Sequence, residues 1–236
     1  NMKRFGHKFT LPLILTALVL AIACLFIGFL NLKKQTTLPS NSNTSAIGIE
    51  LNQEFDYIDL HQLQDNGISF VYLRSTQGRS YFDDNFLSYR DQIQGTNLAF
   101  GSEIYFSNES TARQQYEFFI KKVGLNTGSL PILLQPVTDN LSNSYLKSMA
   151  KLVRLFQNCQ KKVMVAVSYH YHSYFPANTK FLTDGKKEPN KINYSFWRYT
   201  TKGRVKGVAG LDNNVTMYSY NGSVAQYKQR YGQLTQ

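Results

Sequence analysis

Short apolar runs alternate with helix-period segments along most of this chain. Five runs have the length and the continuous apolar character of strands buried on both faces. They cover residues 46–51, 68–75, 97–106, 130–135 and 163–169. Two intervening stretches place their apolar residues on one helical face: Ala112, Tyr116, Phe119, Ile120 and Val123 in the first, and Leu146, Met149, Val153 and Phe156 in the second. This order of strand, helix and strand predicts an α/β domain with a parallel sheet.

A much longer apolar run lies near the N-terminus. Residues 9–32 contain no Lys, Arg, Asp or Glu. As a helix they would span about 36 Å, which exceeds a bilayer core of about 30 Å. The flanking Lys and Arg residues favour a cytoplasmic N-terminus. We therefore expect an uncleaved, single-pass signal anchor, with lipoprotein-type cleavage at Cys24 as the open alternative.

These patterns divide the chain into four predicted parts. A short cytoplasmic tail (1–8) precedes the transmembrane anchor (9–32), and a polar, flexible linker (33–45) follows it. Residues 46–236 form one domain outside the cytoplasm, whose last part is predicted to consist of strands and turns without a long helix. The expected location is the cell membrane, with the C-terminal domain extracytoplasmic.

The charge balance narrows the choice of partner. A net charge of +11 favours an acidic partner such as anionic wall polymer or lipid headgroups. The basic residues are scattered and accompany no nucleic-acid-binding motif, so no nucleic acid partner is expected. The two cysteines, Cys24 and Cys159, provide neither a disulfide framework nor metal-ligand spacing. We expect Cys159 to be a small buried apolar residue.

Polar and aromatic residues follow the predicted strands. In a β/α barrel, function collects at the carboxyl ends of the strands. Those ends carry Glu50, Arg74, Gln77, Glu103, Tyr105 and Gln135, and later Trp197, Arg198 and Asp212. Aromatic faces beside carboxylates and amides suit a sugar. An open Rossmann-type sheet is the competing architecture, but the chain has no G-x-G-x-x-G after its first strand and no P-loop motif.

A metal or thiol centre has little support in the sequence. His170 and His172 would share one side of a strand, as in some metal sites, but no acid or cysteine accompanies them. Nothing around Cys159 indicates an activated thiol. We therefore expect neither a metal nor a cofactor.

Several motifs occur together in a specific order. Five segments carry them: GIELN at 48–52, FVYLRSTQG at 70–78, YFDDNF at 81–86, GSEIY at 101–105 and FWRYT at 196–200, with a glycine-rich tail over 203–213. In this order the segments resemble glycoside hydrolase family 25, the lysozymes of bacteria and phages. The resemblance covers Ala46 to about Ser223.

That resemblance implies a flattened, TIM-like β/α barrel that cleaves the bond between muramic acid and glucosamine in peptidoglycan without a metal. The family's acids are the Asp of G-I-D, both acids of L-P-x-x-L-D-x-E and a late Asp. Here the corresponding strand reads LPILLQPV, so Gln135 and Val137 replace the strand acids. Glu50 stands for the first Asp, and only Asp212 is kept.

The replacements remove the chemistry that glycoside cleavage needs. One group must protonate the leaving oxygen, and a carboxylate must assist at the opposite face of the sugar. Valine holds no proton, and glutamine hydrogen-bonds but cannot relay charge. We predict a wall protein with impaired catalysis that binds peptidoglycan or another cell-wall glycan. The expected glycan-binding residues are Arg74, Tyr81, Tyr105, Gln135, Trp197 and Arg198.

Two alternatives remain open. Glu103 replaces a tyrosine of the family's Y-H-F strand, so Glu50, Glu103 and Asp212 are candidate catalytic residues of a muramidase-type glycosidase with a relocated acid. Against this, Glu103 could be neutralised by Arg74 or Arg198. The other alternative is a scaffold in a membrane complex that ignores sugars.

Overall fold

The computed structural model describes residues 7–41 and 46–232, without the side chains at positions 7–9, 32 and 33. The chain divides into two units, Asn1–Thr36 and Thr37–Gln236. The first contains helix α1 (His7–Lys33), in which Thr10–Asn31 has a mean hydropathy of 2.9 and is exposed. This segment is long and apolar enough to cross a membrane, and a signal sequence near an N-terminus has the same properties.

The second unit is a closed barrel of eight strands, which confirms the predicted β/α barrel. The described residues form nine strands: β1 (Ile47–Leu51), β2 (Phe70–Gln77), β3 (Tyr81–Phe82), β4 (Ala99–Phe106), β5 (Ile132–Pro136), β6 (Val163–Val165), β7 (Lys180–Asp184), β8 (Phe196–Gly203) and β9 (Val215–Tyr220). They pair in the order β1-β9-β8-β7-β6-β5-β4-β2, and a further pairing of β1 with β2 closes the ring. β3 forms a hairpin on β2. Only β9 runs antiparallel to its neighbours in the ring.

Helices cover one part of the barrel more fully than the rest. The helices are α2 (Leu60–Asp65), α3 (Phe86–Ile93), α4 (Ala112–Val123), α5 (Asn143–Asn158) and α6 (Val224–Tyr231). Both predicted amphipathic helices are present as α4 and α5. Thr111 and Gln114 form a capping box that starts α4, and Ser142 caps α5. Between β6 and β7 the described chain has only a 3₁₀ helix (Tyr169–Tyr174).

The two-residue period of the strands produces two separate cores. Outward-facing residues such as Ile49, Leu73 and Leu134 pack with the helices. Inward-facing residues fill the barrel and are largely aromatic: Phe70, Tyr72, Phe196, Tyr218 and Tyr220, joined by Tyr227 and Tyr231 of α6. The hydroxyl of Tyr227 donates to the carbonyl of Ser69, just before β2. Helix α6 therefore closes the end of the barrel where the parallel strands begin, which we call the foot.

Two expectations about local structure are corrected. His170 and His172 lie in the exposed 3₁₀ helix and not on a strand, and the ring of His172 stacks on Tyr169. Cys159 is exposed at the C-terminus of α5, with its Sγ 2.8 Å from the hydroxyl of Tyr116. It follows the helix's last turn, where the amphipathic stripe has already ended.

The predicted linker also needs revision where the structure describes it. The backbone N–H of Thr37 donates to the carbonyl of Arg204, and its own carbonyl accepts from the hydroxyl of Tyr199. The folded unit thus includes residues that precede the expected boundary at Ala46. Residues 42–45, the rest of that linker, lie outside the described part of the chain, as do residues 1–6 of the predicted tail.

Candidate functional site

The end of the barrel at which the parallel strands finish is called the mouth. One inward-facing layer of side chains at the mouth is polar. Glu50 alternates with the outward-facing Ile49 and Leu51, and Arg74 and Glu103 sit side by side in the register of β2 and β4. The layer comprises Glu50, Arg74, Glu103, Gln135 and Arg198, with Tyr218 beneath it. Five of the nine residues predicted for the site are therefore brought together here.

Glu103 is the most deeply enclosed of these residues. Its side chain has no solvent exposure, and its Oε1 accepts hydrogen bonds from Gln135 Nε2 (2.7 Å) and the Tyr218 hydroxyl (3.4 Å). Its Oε2 is buried and has no hydrogen-bond partner among the described residues. Burial, and then the charge of Glu50, raise the pKa of Glu103 well above its ordinary value. The enclosed site therefore favours the neutral form of the Glu103 carboxyl over the charged form.

The expectation that Arg74 or Arg198 neutralises Glu103 by pairing with it is wrong for the described residues. The hydrogen-bond partners of Glu103 are an amide and a phenol, while Arg198 pairs with Asp184. The two arginines act on Glu103 only through their charge.

Glu50 is the second buried carboxyl of the mouth. It is 6% exposed, and its Oε1 accepts a hydrogen bond from Asn52 Nδ2 at 3.0 Å. Burial raises the pKa of Glu50, while the bond from Asn52 and the charge of Arg74 oppose the rise. The sequence signal for Asn52 was its position two residues after Glu50, on the same side of the chain.

Arg74 lies between two aromatic rings. Its guanidinium carbon is 4.6 Å from the ring centre of Tyr105 and 5.0 Å from that of Tyr81, and its Nη2 donates to Gln77 Oε1 at 3.0 Å. A bulge in β2 between Arg74 and Thr76 makes this possible, because it turns Gln77 to the same side as Arg74. The charge of Glu103, and then burial, raise the pKa of Tyr105. Arg74, Tyr81 and Tyr105, three of the predicted glycan-binding residues, therefore form one cluster.

Arg198 is held from the neighbouring strand. Its Nε and Nη2 donate to the two carboxylate oxygens of Asp184 at 2.5 and 2.8 Å. Asp184 was not predicted as a site residue, although its register opposite Arg198 places both on the inner face. This fork orients the guanidinium toward the mouth.

Residues 130–137, which include β5, read LPILLQPV. This segment has no acid at position 135 or 137, where the motif L-P-x-x-L-D-x-E has its two acids. Gln135 is buried and donates a hydrogen bond to Glu103, whereas Val137 is 39% exposed just beyond the strand. The N–H of Val137 donates to the hydroxyl of Tyr145, which in turn donates to the carbonyl of Phe106. The backbone is thus firmly placed, and it presents an isopropyl group to solvent.

Two predicted site residues lie away from this cluster. Trp197 is fully buried on the outward side of β8 beside Tyr199, so it offers no ring face to a sugar. Its neighbour Arg198 faces inward, and adjacent residues of a strand point to opposite sides. Asp212 is exposed in the connection from β8 to β9, and in the described chain it makes no hydrogen bond to Glu50 or Glu103.

A shallow groove, which we call the rim groove, lies beside the mouth where β2, β4 and β5 end. It consists of two concavities of about 270 and 280 Å³ that share Ser107 and Ser110. Most of its other lining side chains carry hydroxyl or amide groups: Gln77, Ser80, Tyr81, Asn108, Thr138, Asn140, Ser142, Ser144, Tyr145 and Ser148. Arg79 and Glu109 are its only charged lining residues in the described chain.

The loop that divides the rim groove is clamped by Gln115 of α4. Its Nε2 donates to the carbonyls of Ser107 (2.8 Å) and Ser110 (3.0 Å), and its Oε1 accepts from the N–H of Ser107 (3.1 Å). The hydroxyl of Ser110 is buried without a protein partner. Gln115 was missed from the sequence, where it looked like one polar position of an amphipathic helix.

A second brace holds the loops around the mouth. The buried carboxylate of Asp83 accepts from the N–H groups of Gln53 and Asn85, each at 3.0 Å. Burial raises the pKa of Asp83, while those two bonds oppose the rise.

Within the described residues no group of three His, Cys, Asp or Glu side chains could hold a metal ion. The chemistry available at the mouth is therefore hydrogen bonding, ring contact and two buried carboxyls.

Comparison with known proteins agrees with this arrangement. The model for glycosyl hydrolases family 25 matches residues 50–208, more than half of the chain. A protein of Escherichia coli (strain K12) named YegX, which is uncharacterized, is 24% identical over 204 residues, covering 80% of this chain and 74% of that one.

Two solved structures share the fold. A family 25 glycosyl hydrolase from Bacillus anthracis superimposes with a TM-score of 0.66 at 16% identity, covering 84% of this chain and 97% of the other. The modular autolysin LytC from Streptococcus pneumoniae, solved with a synthetic peptidoglycan ligand, gives a TM-score of 0.58 at 17% identity, covering 75% and 46%. At these identities the likeness shows the fold alone.

Proposed function

The chain belongs to glycosyl hydrolase family 25, and from this premise we propose that it is a membrane-anchored, extracytoplasmic protein that binds peptidoglycan without cleaving it. The observation that carries the proposal is the end of β5. There Gln135 is bonded to Glu103, and Val137 faces solvent where the family's motif has its catalytic Glu.

Loss of hydrolysis follows from what these side chains can do. General acid catalysis typically contributes about 10²–10⁴-fold to such a reaction, and valine cannot supply it. Gln135 can accept or donate a hydrogen bond but carries no charge for a developing oxocarbenium ion. The mouth therefore lacks both functions of the family's strand acids.

Retained binding is supported by the rim groove. Its hydroxyl and amide groups match the hydrogen-bonding pattern of a glycan, and the Tyr81 ring at its edge offers an apolar face. The loop through the groove is already ordered by Gln115. Ligand binding would therefore lose little conformational entropy in that loop. The complex of LytC with a synthetic peptidoglycan ligand gives a precedent on the same barrel.

Membrane anchoring rests on α1. Its apolar segment Thr10–Asn31 is long enough to span a bilayer and is followed by Lys33 and Lys34. In this position the folded unit would remain close to the membrane, outside the cytoplasm.

A relocated acid is the second candidate function, and the raised pKa of Glu103 favours it. A neutral carboxyl next to a second carboxyl is what a general acid requires. However, Glu103 has no exposed surface, and its Oε1 already accepts two hydrogen bonds. A glycosidic oxygen could reach it only if the mouth rearranged, so we place binding first.

Sugar release from purified peptidoglycan tests hydrolysis. We expect the full chain to release no reducing ends, and a Gln135→Asp/Val137→Glu double variant to gain measurable release because it restores the strand acids at a groove that still binds glycan. Release by the unmodified chain that disappears in Glu103→Gln would establish the relocated acid and contradict our proposal.

Co-sedimentation with insoluble peptidoglycan tests binding. Tyr81→Ala should weaken retention by about tenfold, since one stacked ring contributes on the order of 1 kcal/mol or more. Tyr57→Ala is the matched control, because Tyr57 is 76% exposed and does not line the groove. A folded full chain that never sediments with peptidoglycan would leave the scaffold alternative.

A further inference from the structure

A concavity lies at the foot of the barrel, away from the mouth. It has a volume of about 550 Å³ and lies between the end of α5, the segment before β7 and helix α6. We call it the basal pocket. Its size is within the range of about 300–1,000 Å³ that is typical of small-molecule sites.

The side chains of the basal pocket are uniformly basic or neutral. Four cations line it, namely Lys161, Lys162, Lys180 and Arg230. The remaining lining residues, Gln157, Gln160, Asn178 and Tyr231, supply amides and a phenol. The lining contains no Asp or Glu, and none of the four cations forms an ion pair within the described chain. The positive charge here is uncompensated.

The crowding of these charges has a cost that a bound anion would remove. Lys180 is half-buried, and burial lowers its pKa, with the charges of Arg230 and Lys162 adding to the effect. Like charges gathered around a partly desolvated lysine repel one another. An anion between them would replace that repulsion with charge-assisted hydrogen bonds.

Part of the pocket is held in place by bonds to backbone. Lys161 Nζ donates to the carbonyl of Leu125 at 2.7 Å, and Gln157 Nε2 donates to the carbonyl of Ala177 at 3.1 Å. These bonds tie α5 to the neighbouring loops. Lys162 and Lys180 remain to face a ligand, beside Arg230, whose side chain is hydrogen-bonded to that of Tyr231.

The positive surface extends beyond the pocket along α5. Lys147, Lys151 and Arg154 follow one another at helical spacing and line a second concavity of about 470 Å³ with Ser173 and Tyr174. The same face continues to Gln157 in the basal pocket. The charge therefore forms a track, which suits a ligand with more than one anionic group.

We propose that the basal pocket binds a phosphate group carried by a larger ligand. Four cations with amide and phenol donors fit the oxygens of a phosphate monoester or diester. Two sources share this chemistry: a phosphodiester polymer of the cell envelope, and the headgroup of an anionic lipid. The basal pocket and the rim groove are separate sites. An experiment can therefore disprove phosphate binding without disproving glycan binding, and the reverse.

The first arm of the test uses inorganic phosphate. The full chain in uncharged detergent micelles is titrated with phosphate by calorimetry, and we expect saturable binding that weakens as salt rises. Lys162→Gln/Arg230→Gln should reduce the affinity by about tenfold or more, because it removes two cations. The matched control, Lys186→Gln/Lys187→Gln, removes the same charge from exposed positions outside the pocket and should change affinity less than about twofold.

The second arm separates the two sources. The full chain is reconstituted in nanodiscs of phosphatidylcholine, with or without phosphatidylglycerol, and hydrogen exchange is measured at Gln160, Lys161 and Lys162. Protection that appears only with phosphatidylglycerol identifies the lipid headgroup. Phosphate binding in micelles without such protection excludes the lipid headgroup and leaves a phosphate group of the envelope polymer as the ligand to be titrated next. The proposal is overturned if neither phosphate binding nor lipid-dependent protection is observed. It is also overturned if the control variant loses as much affinity for phosphate as Lys162→Gln/Arg230→Gln.

Discussion

The two ends of the barrel interior are built from the same strands and differ completely in chemistry. At the foot, Phe70, Phe196 and Tyr220 pack edge to face with one another and with the tyrosines of α6. At the mouth, Arg74 and Arg198 lie two and one inward positions beyond Phe70 and Phe196 on the same strands, and Glu50 and Glu103 join them from β1 and β4. Both ends are buried, yet only the foot is apolar.

The difference separates stability from function. Burial of an aromatic ring stabilises the fold, whereas burial of a carboxyl costs free energy unless its charge is compensated or neutralised. A chain selected only for folding would have filled the mouth with aliphatic residues. The polar mouth is therefore maintained at a cost, and three substitutions, one at the foot and two at the mouth, test this difference.

Phe196→Ala should have the largest effect because it opens a cavity in the foot. The ring of Phe196 is fully buried and contacts those of Phe70, Tyr72, Tyr220 and Tyr231. We expect the free energy of unfolding to fall by about 3–5 kcal/mol, measured by urea denaturation in uncharged detergent. Tyr57→Ala, which removes an exposed ring, should change it by less than about 0.5 kcal/mol.

Glu103→Gln should act in the opposite direction at neutral pH. Because the pKa of Glu103 is raised in the folded state, the unfolded chain releases this proton near the ordinary value of 4.5 while the folded chain keeps it. Stability of the unmodified chain therefore falls as pH rises from about 4.5 toward the folded-state pKa.

The glutamine variant is isosteric and does not titrate, so it should lack this loss. We expect it to be more stable than the unmodified chain at pH 7 by on the order of 1 kcal/mol or more, and equally stable near pH 4. Urea denaturation at both pH values gives the comparison. A variant that is less stable at pH 7 would mean that Glu103 is ionised and held by the arginines.

Asp184→Asn should have the smallest effect. The carboxylate of Asp184 is 63% exposed, although it bonds Arg198 through two oxygens. We expect a loss of at most about 1 kcal/mol at low ionic strength, which shrinks further as salt screens the pair. A salt series of unfolding curves measures it. A loss above about 2 kcal/mol, insensitive to salt, would show that Arg198 is part of a buried network.

Much of the fold was predictable because it depends on local patterns. The apolar runs at 46–51, 68–75 and 97–106 correspond to β1, β2 and β4, and the two amphipathic stripes to α4 and α5. The short elements escaped prediction. β3 has two residues and β7 is only partly apolar, and both are set by pairing with distant strands.

The candidate site was predicted in composition more than in geometry. Strand ends correctly located Glu50, Arg74, Glu103 and Gln135, since parallel strands bring their carboxyl ends together. Trp197 and Arg198 were both predicted to face the site, but the two-residue period of β8 places adjacent side chains on opposite sides of the strand. Partners such as Tyr218 and Gln115 depend on tertiary contacts that no local pattern encodes.

The clamp formed by Gln115 has a consequence for the kinetics of binding. Since its amide already holds both Ser107 and Ser110, the rim groove has no loop movement to complete before a glycan enters. Association should then proceed at the rate of orientation-limited encounter, and related glycans should differ mainly in how quickly they dissociate. For the membrane-anchored glycan binder proposed above, this would allow rapid exchange among neighbouring strands of the wall.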